Sequence, residues 1–512
     1  MDEPGFQVAR LVLALGALAV LSVRRLRPQG ARGKAVLLGL GLLGALAYAN
    51  FGTLHGGRFL HVWDAYHYYV GAKYFPELGY QELYKCTAEA DLEAGVPGTA
   101  TRGTRELATN RPLRVYEALS ASGKCRARFT PHRWESFTHD VAFFRESVDT
   151  QHWRVIQLDH GYNATPAWTW VGHHLANLAP ASDVQLTLWA LVDPLLLLGA
   201  AALLAWAFSL EVSVLFLLVL GTWFPSSFAW TGGALLRADW LFLSILGVCL
   251  LKRAHPVAAG VAVALAGGLR LFPVLLFVGP FLMLLVHGRR GPWVRFLGSG
   301  ALTLALGLGL FTASPEGRET FRAFLQNTAK HADTRLTNHM GLRTVLSYRV
   351  GESAATLREP GTADPWKRFR EQRRANARQL RPLQWAMVAG FALALLARFR
   401  RRPTEPWEAL SLSWLFVPLL LELTSYYLVL VAALAPLAMK ERRFAMMLSG
   451  LCAGSQVLAM TSLPDDLLYL AQSAWLLVCV ALALYLPRPG EELSRQSVSP
   501  QGGTAVAGGW VR

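Results

Sequence analysis

Apolar stretches long enough to cross a bilayer recur along nearly the whole chain, and this limits the possible folds more than any other feature. A hydrocarbon core of ~30 Å takes ~20 mainly apolar residues as a helix. Candidate spans run near 7–23, 35–51, 184–210, 212–230, 234–251, 296–313, 444–462 and 466–486, with a weaker one near 383–397. The stretches 257–287 and 408–439 are too long for one span each. Gly267-Gly268-Leu269-Arg270-Leu271-Phe272-Pro273 interrupts the first, and Glu422-Leu423-Thr424-Ser425-Tyr426-Tyr427 the second. Each therefore reads as two helices with a break, and Arg270 and Pro273 sit at the tip of the first pair. Of the 512 residues, 53% are hydrophobic and 16% charged, against roughly 25% charged in an ordinary soluble domain. The sequence predicts an all-α polytopic membrane protein with about 11–13 transmembrane helices. It argues against a disordered chain, a collagen, a coiled coil or a conventional soluble enzyme.

The expected organisation follows from these spans. Helices occupy 1–51, 184–313 and 383–487; two large extracytoplasmic loops occupy 52–183 and 314–382; a disordered cytoplasmic tail occupies 488–512. The basic short connections are Arg24 to Lys34, Lys252-Arg253, Arg289 to Arg295, Arg398 to Arg402, and Lys440 to Arg443. Counting spans in order puts all of them on one side, which the positive-inside rule makes the cytoplasm. Positive charge follows the first apolar run instead of preceding it, so a cleavable signal peptide is not expected. Fifty Lys+Arg against 34 Asp+Glu give a net charge of +16, which topology and anionic lipid head groups account for. No zinc-finger spacing or RNA-binding motif accompanies it, so nucleic acid is not an expected partner. The Ala, Leu, Arg and Gly bias suggests a bacterial inner membrane, with the long loops facing the periplasm.

Of the five cysteines, Cys249, Cys452 and Cys479 fall in spans and read as small apolar fillers. Cys86 and Cys125 share the first loop, where an oxidising compartment allows a disulfide; two free loop thiols are the other reading. Directly after the second span comes His61-Val62-Trp63-Asp64-Ala65-Tyr66-His67-Tyr68-Tyr69. It places a carboxylate at the membrane exit, followed by an aromatic helix near 65–78 expected to lie in the interface. A second interfacial helix is expected near 166–178, after Asp159-His160-Gly161-Tyr162-Asn163. An aromatic belt with one solvated acid is the simpler reading of the first of these segments. His173-His174 is a poor metal pair, because adjacent helical side chains point about 100° apart.

Taken together, these segments resemble the GT-C superfamily of integral-membrane glycosyltransferases, and within it glycosyltransferase family 87, the polyprenol-phosphate-mannose-dependent type. Asp64 with Tyr68-Tyr69 and Gly79-Tyr80…Leu83-Tyr84 is similar to the family's early-loop acid, tyrosines and Gly…Leu-Tyr. Gly161-Tyr162-Asn163-Ala164-Thr165-Pro166 is similar to its Tyr-Pro-Pro segment, with one proline missing. Arg270-Leu271-Phe272-Pro273 resembles a Lys-x-aromatic-Pro element with Arg for Lys. Asn338-His339-Met340-Gly341 and Ser425-Tyr426-Tyr427 resemble the late motifs, with Ser425 where a histidine is common. The match covers about 60 to 435, and the insertion near 86–150 exceeds the family pattern.

The resemblance implies an inverting transfer of mannose or another hexose or pentose from a polyprenyl-phosphate donor to an acceptor hydroxyl of a glycan, lipid or protein. A lipid-phosphate leaving group needs no metal-held nucleotide diphosphate, so no metal or other cofactor is expected, and the sequence has no Asp-x-Asp motif. Asp64 is the expected base. Arg270 is the first choice for the phosphate, because an ionisable residue in an apolar stretch faces a cavity or a partner and guanidinium matches phosphate oxygens. His67, Lys73, Arg237, Arg335, His339 and Arg343 are weaker choices for the same role. Tyr68, Tyr162, Asn338, Tyr426 and Tyr427 are expected to line the substrate pocket. Asp159 and His160 either position the acceptor or form a loop salt bridge. Glu422 is expected to pair with a basic residue or to bind the sugar. The alternatives are a transporter or flippase of lipid-linked sugars, and an O-antigen-type polymerase or ligase.

Overall fold

In the computed structural model, which describes residues 4–22, 30–120, 124–362 and 364–485, the chain is mainly α-helical. The tail expected to be disordered over 488–512, and the basic residues Arg24, Arg25 and Arg27, lie outside the described residues. Sheet among the described residues amounts to two short antiparallel pairs and one isolated bridge: Gly103–Glu106 with Arg111–Arg114, His339–Met340 with Leu423–Thr424, and His55 with Arg58.

Among the described residues, four helices are long and apolar enough to cross a membrane alone: Asp183–Ala207, Pro292–Phe311, Arg381–Arg401 and Asp465–Leu482. Leu210–Thr222 and Phe224–Thr231, bent by 86°, make a fifth if they count as one span. The chain is thus a helical membrane protein. Other apolar stretches form shorter helices, among them Gly5–Val20, Pro256–Leu269, Phe272–His287 and Ser425–Lys440. Breaks in the backbone shorten the helices of two of these stretches. Arg270 is extended and ends the helix Pro256–Leu269. The chain is again non-helical at Leu421–Thr424 before the 3₁₀ run Ser425–Leu434. Both breaks fall where the apolar stretches are interrupted in sequence. A 3₁₀ helix rises ~2.0 Å per residue against ~1.5 Å in an α-helix, so the second run covers depth with fewer residues.

The two polar segments, 52–183 and 314–382, are helical and pack against each other. Asn327 Nδ2 donates to the Tyr162 carbonyl over 3.2 Å, and Asn110 Nδ2 to Thr334 Oγ1 over 3.0 Å. Local sequence sets the helix starts. Thr130, Thr165 and Ser314 each accept a hydrogen bond from an N–H in the first turn, with proline at the start of the helix, the residue order that satisfies orphan donors at least cost. The segment 52–183 has its own core, in which Tyr66, Tyr69, Tyr74, Tyr84, Trp153 and Trp168 are fully buried.

This core corrects one expectation. Every residue from Asp64 to Tyr74 is buried, so the helical run starting at Val62 is a central strut and not an interfacial helix. Its Tyr66 ring packs against Phe144 and Trp153, and its Tyr68 ring against Tyr162 and Trp168. The helix Pro166–Ala176 does keep one face open, with Trp170 exposed. Cys86 and Cys125 are joined in a disulfide, with Cα atoms 5.3 Å apart.

Candidate functional site

A cavity of about 610 Å³ lies where the two polar segments meet the ends of the apolar helices. Trp63, Asp64, His67, Tyr68, Asp159, His160 and Asn163 line it from the first segment, His331, Asn338 and His339 from the second, and Arg237 and Tyr426 from the helix ends. Seven of the thirteen histidines face it.

Asp64 stands in the first turn of the strut, and its backbone N–H donates to His61 Nδ1, 3.1 Å away. The strut continues as a π-helical turn over Tyr66–Val70; such turns are rare and concentrate at functional sites. Across from Asp64, the Arg237 guanidinium grips the carboxylate. Nε lies 3.1 and 3.0 Å from its two oxygens, and Nη2 also contacts Oδ1. Arg237 Nη1 donates to the Tyr68 hydroxyl over 2.9 Å, and Cζ lies 4.0 Å from the Tyr68 ring centre. Tyr68 in turn donates to Asn163 Oδ1 over 2.7 Å. Burial pushes the Asp64 carboxyl up, but the Arg237 guanidinium, by its charge and its hydrogen bonds, outweighs it and holds Asp64 below the ordinary carboxylate range.

Backbone contacts fix Arg237 in place. The Asp193 carboxylate accepts the N–H groups of Arg237 and Ala238 at 2.7 and 3.0 Å. His61 N–H donates to the Gly233 carbonyl over 3.0 Å. Gly233 has φ +67°, and a Cβ there would lie 1.7 Å from the Phe59 carbonyl oxygen, so only glycine fits this approach.

Several predicted residues are brought together at this cavity. His67 Nδ1 donates to the Trp63 carbonyl at 2.8 Å, which leaves Nε2 to accept from the Tyr84 hydroxyl at 2.6 Å. Asn338 and His339 arrive on the short pair with Leu423–Thr424, next to Tyr426, and His339 Nδ1 is buried with no partner among the described residues. Asp159 and His160 both line the cavity without forming the expected salt bridge. Asp159 accepts from Trp63 Nε1 at 2.7 Å, while His160 Nδ1 bonds Asn110 Oδ1 at 2.8 Å. Burial depresses His61 and His331 to about 4, and His160 and His339 to about 3. These rings are therefore neutral at pH 7.

Four predicted residues do not line the cavity. Lys73 does not face the cavity; its ammonium bonds Asp140 Oδ2 at 2.8 Å and the Ala179 carbonyl at 2.9 Å. Tyr162 is a core residue whose hydroxyl meets Thr169 Oγ1 at 2.8 Å and whose ring fills the space left by Gly71. Tyr427 packs its ring on Phe272 and Trp240 behind the cavity wall, with its hydroxyl 3.5 Å from Arg237 Nη1. Arg270 also sits behind the wall, its guanidinium 5.5 Å from the Tyr68 ring and 5.7 Å from that of Trp168. Its Nε and Nη2 are buried without hydrogen-bond partners among the described residues.

The sequence reading ranked Arg237 too low and did not single out Asp193, Asn163 or His331. An available signal was Arg237 and Asp239 inside one apolar stretch, because ionisable groups there are costly and usually functional. Glu422 forms an ion pair with Arg335. Among the described residues, Glu82, Cys86 and Cys125 bring potential metal-ligand atoms together, but the disulfide consumes both sulfurs.

No protein-family model, curated protein or solved structure matches this chain. The resemblance to the family of glycosyltransferases therefore rests on the motifs in the sequence, and any function must be argued from the chemistry of the cavity.

Proposed function

We propose that the chain is an inverting glycosyltransferase of GT-C type, with the family's bundle of about 11–13 membrane helices. It moves mannose, or another hexose or pentose, from a polyprenyl phosphate to an acceptor hydroxyl. The observation that carries this reading is Asp64, a carboxylate in the wall of a cavity with a guanidinium directly across from it. In the reaction the acceptor oxygen attacks C1 of the sugar and its proton passes to Asp64. The C1–O bond to phosphate breaks, and the polyprenyl phosphate leaves with the bonding electrons. Arg237 stabilises the departing phosphate oxygens through charge-assisted hydrogen bonds. The role first given to Arg270 thus passes to Arg237, and Arg270 adds positive charge from behind Tyr68.

The rest of the cavity suits an uncharged polyol. Trp63, Tyr68 and Tyr426 offer ring surfaces, Asn163 and Asn338 offer amides, and the neutral histidines donate and accept without adding charge. In this reading the site faces the periplasm of a bacterial inner membrane, opposite the Lys/Arg-rich connections. Glycan, lipid and protein acceptors all present the hydroxyl that the step needs.

The test is incubation of the purified protein in lipid nanodiscs with radiolabelled polyprenyl-phosphate mannose and candidate acceptors. Sugar transfer is expected from wild type and a loss of ~10²–10⁴-fold from Asp64→Asn. Movement of intact donor across vesicles without bond cleavage, or a variant retaining more than about a third of the turnover, overturns the assignment.

A further inference from the structure

A second cavity, of about 390 Å³, lies apart from the first, between Pro4–Ser22, Gly30–Tyr48, Leu210–Thr222 and the segment Leu437–Ala459. Met439 and Arg442, at the basic connection Lys440 to Arg443, belong to its lining. Its walls are chiefly apolar, formed by residues such as Val20, Leu37, Leu40 and Leu218. Two charged side chains, Glu211 and Arg442, also line it. Neither takes part in an ion pair among the described residues. Arg442 Nε and Nη2 are both buried and have no hydrogen-bond partner among the described residues.

Buried guanidinium donors without acceptors are costly, and an apolar cleft between membrane helices is open to lipid. Basic pockets of this kind on the cytoplasmic side collect phospholipid head groups. Here the guanidinium has a carboxylate in the same cleft, and the pair matches a zwitterion better than a simple anion. We propose that this cleft binds a bilayer aminophospholipid of the phosphoethanolamine class. Its phosphate diester accepts hydrogen bonds from Arg442, its ammonium group donates to Glu211, and one acyl chain lies along Val20, Leu37, Leu40 and Leu218. The charges balance: −1 on phosphate against Arg442, and +1 on ammonium against Glu211. Phosphatidylglycerol leaves the carboxylate facing a diol. The quaternary nitrogen of phosphatidylcholine has no N–H to donate. The volume falls within the ~300–1,000 Å³ of ordinary small-molecule sites, enough for a head group and the upper part of a chain.

The site is independent of the transfer reaction, and its test does not use that activity. Full-length protein is exchanged into equimolar phosphatidylethanolamine, phosphatidylglycerol and phosphatidylcholine, and retained lipid is counted by native mass spectrometry. Wild type is expected to retain phosphatidylethanolamine about tenfold over each of the others, the worth of one charge-assisted hydrogen-bonded pair. Arg442→Gln loses that retention, and Glu211→Gln makes phosphatidylethanolamine and phosphatidylglycerol equivalent. Equal retention of the three lipids by wild type, or a preference for phosphatidylglycerol, overturns the proposal. So does a Glu211→Gln protein with unchanged selectivity. The wild-type competition stands even if Arg442→Gln does not fold.

Discussion

Asp64 and Arg237 should be energetically coupled, and a double-mutant cycle measures by how much. Their side chains are only 10% and 8% exposed, so removing one partner leaves a charge that water reaches poorly. Breaking such a buried pair costs about 3–5 kcal/mol. Asp64→Asn should fall at the lower end of that range, because Arg237 keeps the Tyr68 hydroxyl at 2.9 Å and the Tyr68 ring at 4.0 Å, a cation–π contact worth about 1–2 kcal/mol. Arg237→Gln should cost more. The Asp64 side chain has Arg237 as its hydrogen-bonding partner, and without it the carboxyl must protonate or stay charged and unpaired. The double variant should then be less destabilised than the sum of the singles by at least about 2 kcal/mol, since each single change has already broken the pair. Equilibrium unfolding in mixed micelles, followed by tryptophan fluorescence, gives the three values. Additivity within about 0.5 kcal/mol would show that the pair is open to solvent and not the buried contact described here. The cycle also sets the temperature at which Asp64→Asn can be assayed for transfer while still folded.

Other consequences can be checked separately. His61 and His331 at about 4, and His160 and His339 at about 3, stay neutral in the fold, whereas the unfolded chain protonates them below about 6.5. Stability should therefore hold above pH 6.5 and fall below it, by about 1.4 kcal/mol per pH unit for each ring until its folded pKa is reached; a flat melting temperature between pH 7 and 5 contradicts this. Reducing Cys86–Cys125, which are 39 positions apart, should destabilise the first polar segment by roughly 4 kcal/mol on the loop-entropy model, seen as faster proteolysis there, and protease resistance equal to that of the oxidised protein counts against it. Lys73→Met should destabilise the same segment by about 3–5 kcal/mol, because Asp140 stays fully buried. Donor affinity should not change, and a weaker donor Kd in a folded Lys73→Met protein would return Lys73 to the site.

The membrane class was legible because a bilayer demands long apolar helices, and the breaks were legible because Arg270 and Glu422 are costly inside them. Where each helix stops was not. Hydropathy cannot tell a helix ended at Leu269 from one that continues, nor foresee the ten-residue 3₁₀ run Ser425–Leu434. The strut from Val62 was misread because tyrosine and tryptophan serve both interfaces and cores; what decides is whether other rings cover them, a long-range fact. Lys73 is different, since its error was avoidable. Ideal α-helical spacing of ~100° per residue puts Lys73, nine positions on, about 180° from Asp64 and Tyr68 within about 40°; the π-helical turn over Tyr66–Val70 alters these angles in the fold without bringing Lys73 to the cavity. Helical geometry alone thus groups Asp64 with Tyr68 and excludes Lys73. Arg237 could not be paired with Asp64 by such reasoning, because 173 positions separate them and the contact depends on Gly233 and Asp193.

A carboxylate held below its ordinary range is a weak base, yet the proposed reaction asks Asp64 to take a proton. The geometry resolves this if donor binding frees it. A donor phosphate placed against Arg237 brings negative charge to the same guanidinium, so the field that holds Asp64 down weakens and its proton affinity rises towards the value a general base needs. The acid limb of kcat, which reports the donor-bound enzyme, should then lie at higher pH than the acid limb of kcat/KM for donor, which reports the free enzyme. Measuring both from pH 4 to 8 decides the point. If Arg237 released Asp64 only on unfolding, the two limbs would coincide, and the guanidinium would be a structural partner of the acid and not a ligand of the leaving phosphate.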